Sequence, residues 1–464
     1  MKINRRKFVQ RSAFTVAAFS IVPRHVLGGA RFIPPSEKVN VALVGAGGQG
    51  RVNLQALLRM DDVQVIAVAD PAESFSLESF YYKGQGGRLP TQALIEKHYA
   101  AKTPHYRCAA YEDFREMLQK EKAIDAVLCA TPDHLHATIS VAAMKAGKHV
   151  YCEKPLTHNV WEAREVARIA KETGVATQMG NIGHSEEGMR QTCEWIQAGA
   201  IGPVREVHAW VSATRWNKDL TGLPPGSPPV PKGLHWDLWL GPRNPRPFHP
   251  AYFPVQWRDF WAFGGGAIGD FVCHDLDGPC WALDLQDPTL IDARPAGNMD
   301  EEISPHGELC YYHFGARGQR GPLKVTWYDG GLRPPVPDGW PEDENFPSRG
   351  SYYVGEKGVL ISPGLGGRPR LLPESKHEGY TPPPKSIARS KGHHRDWIDA
   401  CKGGPPASSH FEYGARLTEI LMLGILSLRT RSRIHWDPVA LKAKGLAAAD
   451  PIIREPYRPG WGWS

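Results

Sequence analysis

The 464-residue sequence predicts an α/β N-terminal domain on a doubly wound parallel sheet, followed by an α+β domain with a large open, mainly antiparallel sheet. Three observations predict it. Short apolar runs alternate with helix-length segments from Lys38 to Asn181, the pattern of parallel strands joined by crossover helices. The first apolar run leads directly into a glycine-rich turn, Gly45-Ala-Gly-Gly-Gln-Gly50. Beyond Gly183 the segment Val204–Val211 alternates with period two, as in a sheet with one solvated face.

Taken in order, Val39–Val44 is the first strand, and its glycine turn assigns a separate task to each glycine. Gly45 permits the tight turn, Gly47 lets backbone approach a pyrophosphate, and Gly50 allows helix to pack on strand, with Gly48 and Gln49 between them. The helix predicted from Arg51 to about Met60 aims unpaired N–H groups and a positive dipole end at that phosphate. The second strand, Val63–Ala69, ends at Asp70, twenty residues past Gly50. A carboxylate there accepts hydrogen bonds from ribose hydroxyls and repels a 2′-phosphate, so NAD is expected rather than NADP. Ala123–Ala130 reads as a buried strand, and Thr131-Pro132-Asp133 as its stop and the start of a helix from His134 to Ala146, closed by Gly147. Strand His149–Cys152 closes in Glu153-Lys154-Pro155; Thr157 is the expected cap of a helix from about Asn159 to Thr173, and strand Val175–Met179 follows Gly174. Ligands bind beyond the carboxyl ends of such strands, where Thr131, Pro132, Lys154 and Pro155 fall.

The second domain opens with a helix from Glu186 to Ala198 and the strand Val204–Val211. Aromatic residues then become dense through Trp236, Trp239, Tyr252, Trp257 and Trp261. Sugars present C–H faces that stack on rings while their hydroxyls need polar partners, so this region is expected to form a carbohydrate or cyclitol platform. His184, Trp257 and Arg258 are the expected substrate contacts. The loop-rich insertions 330–347 and 363–384 are expected to elaborate the sheet edge, residues 392–400 to form a late helix, and the tail after Pro451 carries no motif.

Four segments, Gly45–Gly50, Ala130-Thr-Pro-Asp-His-Leu-His136, Glu153-Lys-Pro155 and Gly264-Gly-Gly-Ala-Ile-Gly-Asp-Phe-Val-Cys-His274, resemble in content and order the Gfo/Idh/MocA family of glucose-fructose oxidoreductase and inositol dehydrogenase. The resemblance runs from Lys38 nearly to the C-terminus. It implies a Rossmann domain holding NAD(P) through Gly45, Gly47, Gly48, Gln49, Gly50, Asp70, Thr131, Pro132, His136, Glu153 and Lys154. It also implies that Lys154 lies between nicotinamide and substrate, that Asp270 and His274 complete the catalytic centre, and that copies assemble through the C-terminal sheet. Chemistry supports these roles. Oxidising a secondary alcohol requires a base near the hydroxyl, which His274 can be. Asp270, four residues earlier on a helix, is expected to orient that imidazole and favour its protonated form. Lys154 would stabilise the developing alkoxide.

Asn4-Arg5-Arg6-Lys7-Phe8 and the apolar stretch Ala13–Val22 resemble a twin-arginine export signal, so periplasmic export is expected. No run approaches the roughly 18 apolar residues of a membrane span. Residues 1–30 hold six Lys or Arg and no acid, which accounts for the whole formal charge of +6; no nucleic-acid partner is implied. The eight cysteines show no zinc spacing and no metal is expected, while one sequence leaves disulfide pairing open. The expected organisation is a signal over 1–30, a nucleotide domain over 38–182, a substrate domain over 183–450 and a tail over 451–464. The expected function is hydride transfer between a sugar or cyclitol alcohol and tightly bound NAD. Redox-neutral NAD-dependent glycoside cleavage, epimerisation or elimination stands as the alternative, and a sugar-binding protein with structural nucleotide as a third.

Overall fold

A computed structural model describes residues 33–463; the expected export signal, with Arg5 and Arg6, lies outside the described residues. In chain order the first domain contains β1 (Val39–Val44), α1 (Gly48–Leu58), β2 (Val63–Ala69), a hairpin of β3 (Phe75–Ser76) and β4 (Gln85–Gly86), α2 (Arg88–Ala100), β5 (Ala109–Tyr111), α3 (Phe114–Lys120), β6 (Ala126–Cys129), α4 (Asp133–Lys145), β7 (His149–Cys152), α5 (Val160–Thr173) and β8 (Thr177–Met179). The six larger-sheet strands run parallel in the order β5-β2-β1-β6-β7-β8. Helices cover both faces, so β6 is buried at every position. Strand order reverses between β1 and β6, which opens a crevice at their carboxyl ends.

Local chemistry explains where element boundaries depart from expectation. Helix α1 begins at Gly48 because the glycine turn itself supplies its first turn, with Gly47 as an N-cap that offers no side chain. Asn159, rather than Thr157, caps α5: its Oδ1 accepts the Glu162 N–H at 2.9 Å, while the Thr157 hydroxyl donates to the Asn159 carbonyl. Gly174 closes that helix in the left-handed region, as expected.

The second domain contains α6 (Glu187–Gln197), β9 (Val204–Val211), α7 (Trp236–Leu240), α8 (Gly266–Asp275), α9 (Asp277–Ala282), β10 (Leu290–Ala296), β11 (Gly307–Phe314), β12 (Leu323–Tyr328), β13 (Arg349–Gly355), β14 (Val359–Pro363), β15 (Arg370–Leu372), α10 (His393–Cys401), α11 (Phe411–Thr430), β16 (Ile434–Asp437), β17 (Lys442–Ala443) and α12 (Asp450–Ile453). Its nine strands lie in the order β15-β14-β13-β9-β12-β11-β10-β16-β17, and only the β9–β12 pair is parallel. The insertion 330–347 covers a face of this sheet rather than its edge. Phe346 stacks on Trp210 at 4.8 Å between ring centres, and the Trp210 indole donates to the Pro347 carbonyl. Residues 363–384 do reach the edge, through β15. Among the described residues no helix is long and apolar enough to cross a membrane.

The two domains are interlocked rather than consecutive. Helix α10 returns to the first domain, where Trp397 and Ile398 join the core of Val39, Leu54 and Tyr151, and Arg395 pairs with Asp62 at 2.7 Å. Helix α11, buried on nearly every side, packs on α5 from one domain and on α8 and β10 from the other. The tail closes the assembly. Glu455 accepts from Arg243 and from Arg429 at 2.6 Å, Tyr457 donates to Glu162 at 2.5 Å, and Trp463 stacks on Trp161. Arg243 is buried, so removing Glu455 leaves its cation only the longer pairing to Glu162 at 3.7 Å. Glu455→Ala is therefore expected to lower unfolding free energy by about 3 kcal/mol in a denaturant titration, and an unchanged midpoint would assign the tail no stabilising role.

Candidate active site

A cleft of about 510 Å³ lies between the domains, reaching from the glycine turn and Asp70 at one end to Lys154, Asp270 and His274 at the other. Its first end has the features of a dinucleotide cradle. Gly45 sits at φ +90°, and a Cβ there would meet the Ala130 carbonyl at 2.6 Å. At Gly50 a Cβ would lie 2.0 Å from the Gly45 oxygen. Gly47 has nothing nearer than 3.9 Å in that direction, and no side chain caps α1, so the first N–H groups of that helix are free to meet an anion. The Asp70 carboxylate is fixed by the Ala46 and Ala72 N–H groups, both at 2.8 Å. Burial nevertheless pushes its pKa up to about 6. The nearby Arg88 is committed to Glu112 at 2.6 Å and to the Asp70 and Pro71 carbonyls. Thr131 and Pro132 line the same cleft.

Three residues expected to hold the cofactor also brace its walls. Glu153 accepts from Asn53 at 2.7 Å and from Gln49 at 3.4 Å, tying the Glu-Lys-Pro turn to α1. The nitrogens of His136 face the Pro155 and Thr131 carbonyls at 2.7 and 2.9 Å, so its ring is wedged between two turns and, when neutral, donates to one of them. Burial pushes its pKa down to about 4. From the β3–β4 hairpin, the Tyr82 ring lies directly over Gly48, where a Cβ would meet it at 2.2 Å. Tyr81 stacks on Tyr82 at 3.9 Å and faces Trp216 of the second domain at 5.8 Å.

At the second end Lys154 Nζ donates to Asp270 Oδ1 at 2.5 Å and to the Asp270 carbonyl at 2.6 Å. The Trp216 indole donates to Asp270 Oδ2 at 3.1 Å, and Arg258 Nε stands 3.5 Å from Oδ1. Burial opposes ionisation of both Asp270 and Lys154, but their attraction overrides it: the carboxyl is held below its usual range and the ammonium above. The Asp270 carboxylate thus accepts from Lys154 and makes no hydrogen bond to the His274 imidazole that its four-residue spacing implied it would orient, although its charge does favour the protonated form of that ring. His274 shows no hydrogen bond to either ring nitrogen among the described residues, and its Nδ1 is buried without a partner. Burial, reinforced by the Lys154 and Arg349 charges, pushes its pKa well below the usual histidine range, so it is neutral at pH 7.

Other expectations separate more sharply. Trp257 and Arg258 line the cleft, with the guanidinium 4.2 Å over the Trp257 ring. His184 does not: fully buried, it pairs with Asp277 at 2.9 Å and stacks on Trp281 at 4.0 Å. Of the proposed aromatic platform, Trp236 and Tyr252 pack with Trp239 and Phe263 into a core cluster, and Trp261 joins the main core. Trp239 and Trp257 of that platform also line the cleft, joined there by Phe75, Phe253, Tyr81, Tyr82, Trp216 and Phe271, of which only Phe271 belongs to a motif. Trp216 is held by Asp259, which accepts its N–H at 2.8 Å and that of Asn217 at 2.6 Å. No spacing signal links Asp259 to that loop. Cys129, His136 and Cys152 bring potential metal-ligand atoms within 4.8 Å, but both histidine nitrogens face backbone carbonyls. All eight cysteines are free thiols, Cys129 and Cys152 being neighbours in register on β6 and β7.

Comparison with known proteins agrees with this geometry. Residues 39–181 match the oxidoreductase family NAD-binding Rossmann fold of Gfo/Idh/MocA, and residues 194–301 match that family's C-terminal alpha/beta domain. Levoglucosan dehydrogenase of Pseudarthrobacter phenanthrenivorans is 24% identical over 298 residues, 62% of each chain. Myo-inositol 2-dehydrogenase of Thermotoga maritima is 25% identical, over 58% of this chain and 62% of its own. A glycosyl hydrolase family 109 protein of Stenotrophomonas maltophilia is 36% identical, over 45% and 42%. Across these three the match spans about two fifths to three fifths of the relative's length. In fold, the WlbA dehydrogenase of Bordetella pertussis, solved with NADH and UDP-GlcNAcA, superposes with a TM-score of 0.57 at 17% identity, covering 86% of this chain and 99% of that one. With a Rossmann domain, an open C-terminal sheet and two consecutive family matches over more than half its length, the chain belongs to the Gfo/Idh/MocA oxidoreductase family.

Proposed function

We propose that this protein oxidises or reduces a secondary alcohol of a sugar or cyclitol using tightly held NAD, in the periplasm. The observation that carries the reading is one cleft joining a glycine cradle and buried Asp70 to a charged Lys154, an ionised Asp270 and a neutral His274. When bound, the nicotinamide would supply the hydride acceptor or donor. The glycine turn and the start of α1 would hold its phosphates, and Asp70 its ribose, in a setting that favours NAD because Arg88 is already engaged. Tyr82 over Gly48 and Tyr81 against Trp216 support slow cofactor release. In the alcohol-oxidising direction His274 takes the hydroxyl proton, and the Lys154 ammonium stabilises the negative charge developing on that oxygen. The levoglucosan and inositol dehydrogenase relatives support sugars or cyclitols as substrates. Copies would associate through the C-terminal sheet.

His274→Ala and Lys154→Ala are each expected to slow single-turnover reduction of bound NAD by about a hundredfold or more, with NAD retained. Sugars and inositols would be screened by nicotinamide absorbance; wild-type rates in both variants would refute the centre. In the wild-type enzyme the low pKa of His274 keeps the base form available to lower pH, so the oxidation rate should stay level as pH falls from 8 to 6.5. Product analysis in the same assay separates net oxidation from glycoside cleavage, in which NADH would not accumulate.

Asp70→Ala is expected to weaken NAD retention and narrow any preference over NADP, read by mass spectrometry of nucleotide released on denaturation. Equal retention of both nucleotides by the wild-type protein would defeat the assignment.

Export is tested by Arg5→Lys with Arg6→Lys, which should leave the protein in the cytoplasm because lysine cannot present the guanidinium pair. Unchanged recovery from the periplasm would exclude a twin-arginine signal.

A further inference from the structure

Asp133 is the one carboxylate in the cleft that the roles above leave unused. It opens α4 beside Pro132, is 5% exposed, and lines the cleft. Its carboxyl group accepts from its own backbone N–H, and among the described residues no other residue makes a hydrogen bond or ion pair to it. One N–H does not fill the acceptor capacity of a carboxyl, and the remainder is open to what occupies the cleft. Its charged surroundings are Arg258, Asp270 and Lys154, which places it electrostatically within the catalytic cluster. Burial pushes its own pKa well up, against the lowering by the Arg258 and Lys154 charges.

Arg258 is under-occupied in the same cleft. Its Nη1 donates to the Val255 carbonyl at 3.2 Å and its Nε stands 3.5 Å from Asp270, while the plane of the guanidinium is fixed by Trp257 at 4.2 Å and Trp216 at 5.2 Å. No partner for its Nη2 is seen among the described residues. The two groups come from different domains, Asp133 from the nucleotide domain and Arg258 from the substrate domain. Glu153 and Asp259, the other acids close by, are each satisfied by protein donors.

We propose that Asp133 and Arg258 are specificity-determining residues that together bind a free hydroxyl next to the alcohol being oxidised, so that the substrate class is a vicinal diol. The inference rests on the proposed sugar or cyclitol oxidoreductase and extends it to Asp133. A ring hydroxyl both donates and accepts, which suits a carboxyl that accepts on one side and a guanidinium that donates on the other. A buried site built to hydrogen-bond a hydroxyl rejects analogues lacking it by factors of about 10⁴, because its own polar groups are then left unpaired. A nicotinamide carboxamide could also use such a carboxyl, and the test separates the two.

The experiment uses the full-length holoenzyme. D-glucose, D-galactose and myo-inositol, each with its monodeoxy forms, are titrated by quenching of tryptophan fluorescence, since Trp216 and Trp257 line the cleft. The tightest binder is then followed in single turnover. Wild type should reject one monodeoxy form of that binder far more strongly than the others. Asp133→Ala should weaken the parent sugar by about thirtyfold or more and bind parent and that monodeoxy form alike, with NAD content unchanged and the saturated rate within about fivefold of wild type. Asp133→Asn, which keeps an acceptor in the same shape, should recover affinity to within about tenfold. If Asp133→Ala misfolds, the loss of discrimination is read in Asp133→Asn and Arg258→Lys instead. Undiminished discrimination in the variants overturns the proposal, as does loss of NAD with sugar affinity intact, which would assign Asp133 to the nicotinamide. Wild type that binds sugars with this selectivity but reduces no NAD would refute the oxidoreductase reading and leave the Asp133 result standing.

Discussion

The Lys154–Asp270 ion pair is the constraint on which the rest of the site depends. The side chains are only 14% and 9% exposed, so desolvation would neutralise either group alone. Paired, both remain charged. The pair joins the end of β7 in one domain to α8 in the other, and its formation fixes how the cleft closes. The ammonium it preserves is also a reason His274 stays neutral, since one retained cation disfavours another nearby. A charged ammonium and a neutral imidazole are thereby maintained in one cleft at the same pH.

A ring of buried polar groups holds that pair in place, each acting at one remove. Asp259 fixes the loop from which Trp216 donates to Asp270. Glu308 accepts the Ile268 N–H at 2.9 Å near the start of α8, where a carboxyl satisfies an otherwise unpaired helix donor. Asp329, which accepts the Glu308 N–H at 2.6 Å and the Trp327 indole N–H, forms a close acidic pair with Glu308. Burial and mutual repulsion raise the Glu308 pKa well above the ordinary range. Glu153 does the equivalent work on the nucleotide side. Buried acids in this protein therefore mark where backbone turns must be held, and only some of them face the cleft.

Interlocking of the domains has the same consequence on a larger scale. Because α10 packs in the first domain and α11 touches both, the cleft walls cannot separate without exposing core surface. The tail bridges the same boundary, with Glu455 accepting from Arg243 and Arg429 of the second domain and Tyr457 donating to Glu162 of α5 in the first. At the mouth of the cleft, on the β3–β4 hairpin loop, Tyr81 is 65% exposed and lies between the Tyr82 and Trp216 rings.

The sequence alone determined the parallel sheet, the glycine turn, the strand ending in Lys154 and the helix bearing Asp270 and His274, because each depends on local spacing: alternation, φ-permissive glycine, caps and four-residue helical periodicity. It also fixed which residues line the crevice at strand ends, since parallel topology dictates that position. Partner choice was not legible. Asp270 lies 116 residues from Lys154 in sequence, and no local rule says that its charge goes there rather than to His274 four positions away. Trp216, Asp259 and Tyr82 carry no motif, and ring density could not distinguish a core cluster from a binding surface, because stacking on a sugar and packing on another ring require the same side chains. His184 failed for a related reason: an imidazole facing Asp277 and one facing a substrate read identically in sequence. Only the tertiary structure decided these, by setting which polar groups share a buried space and must satisfy one another.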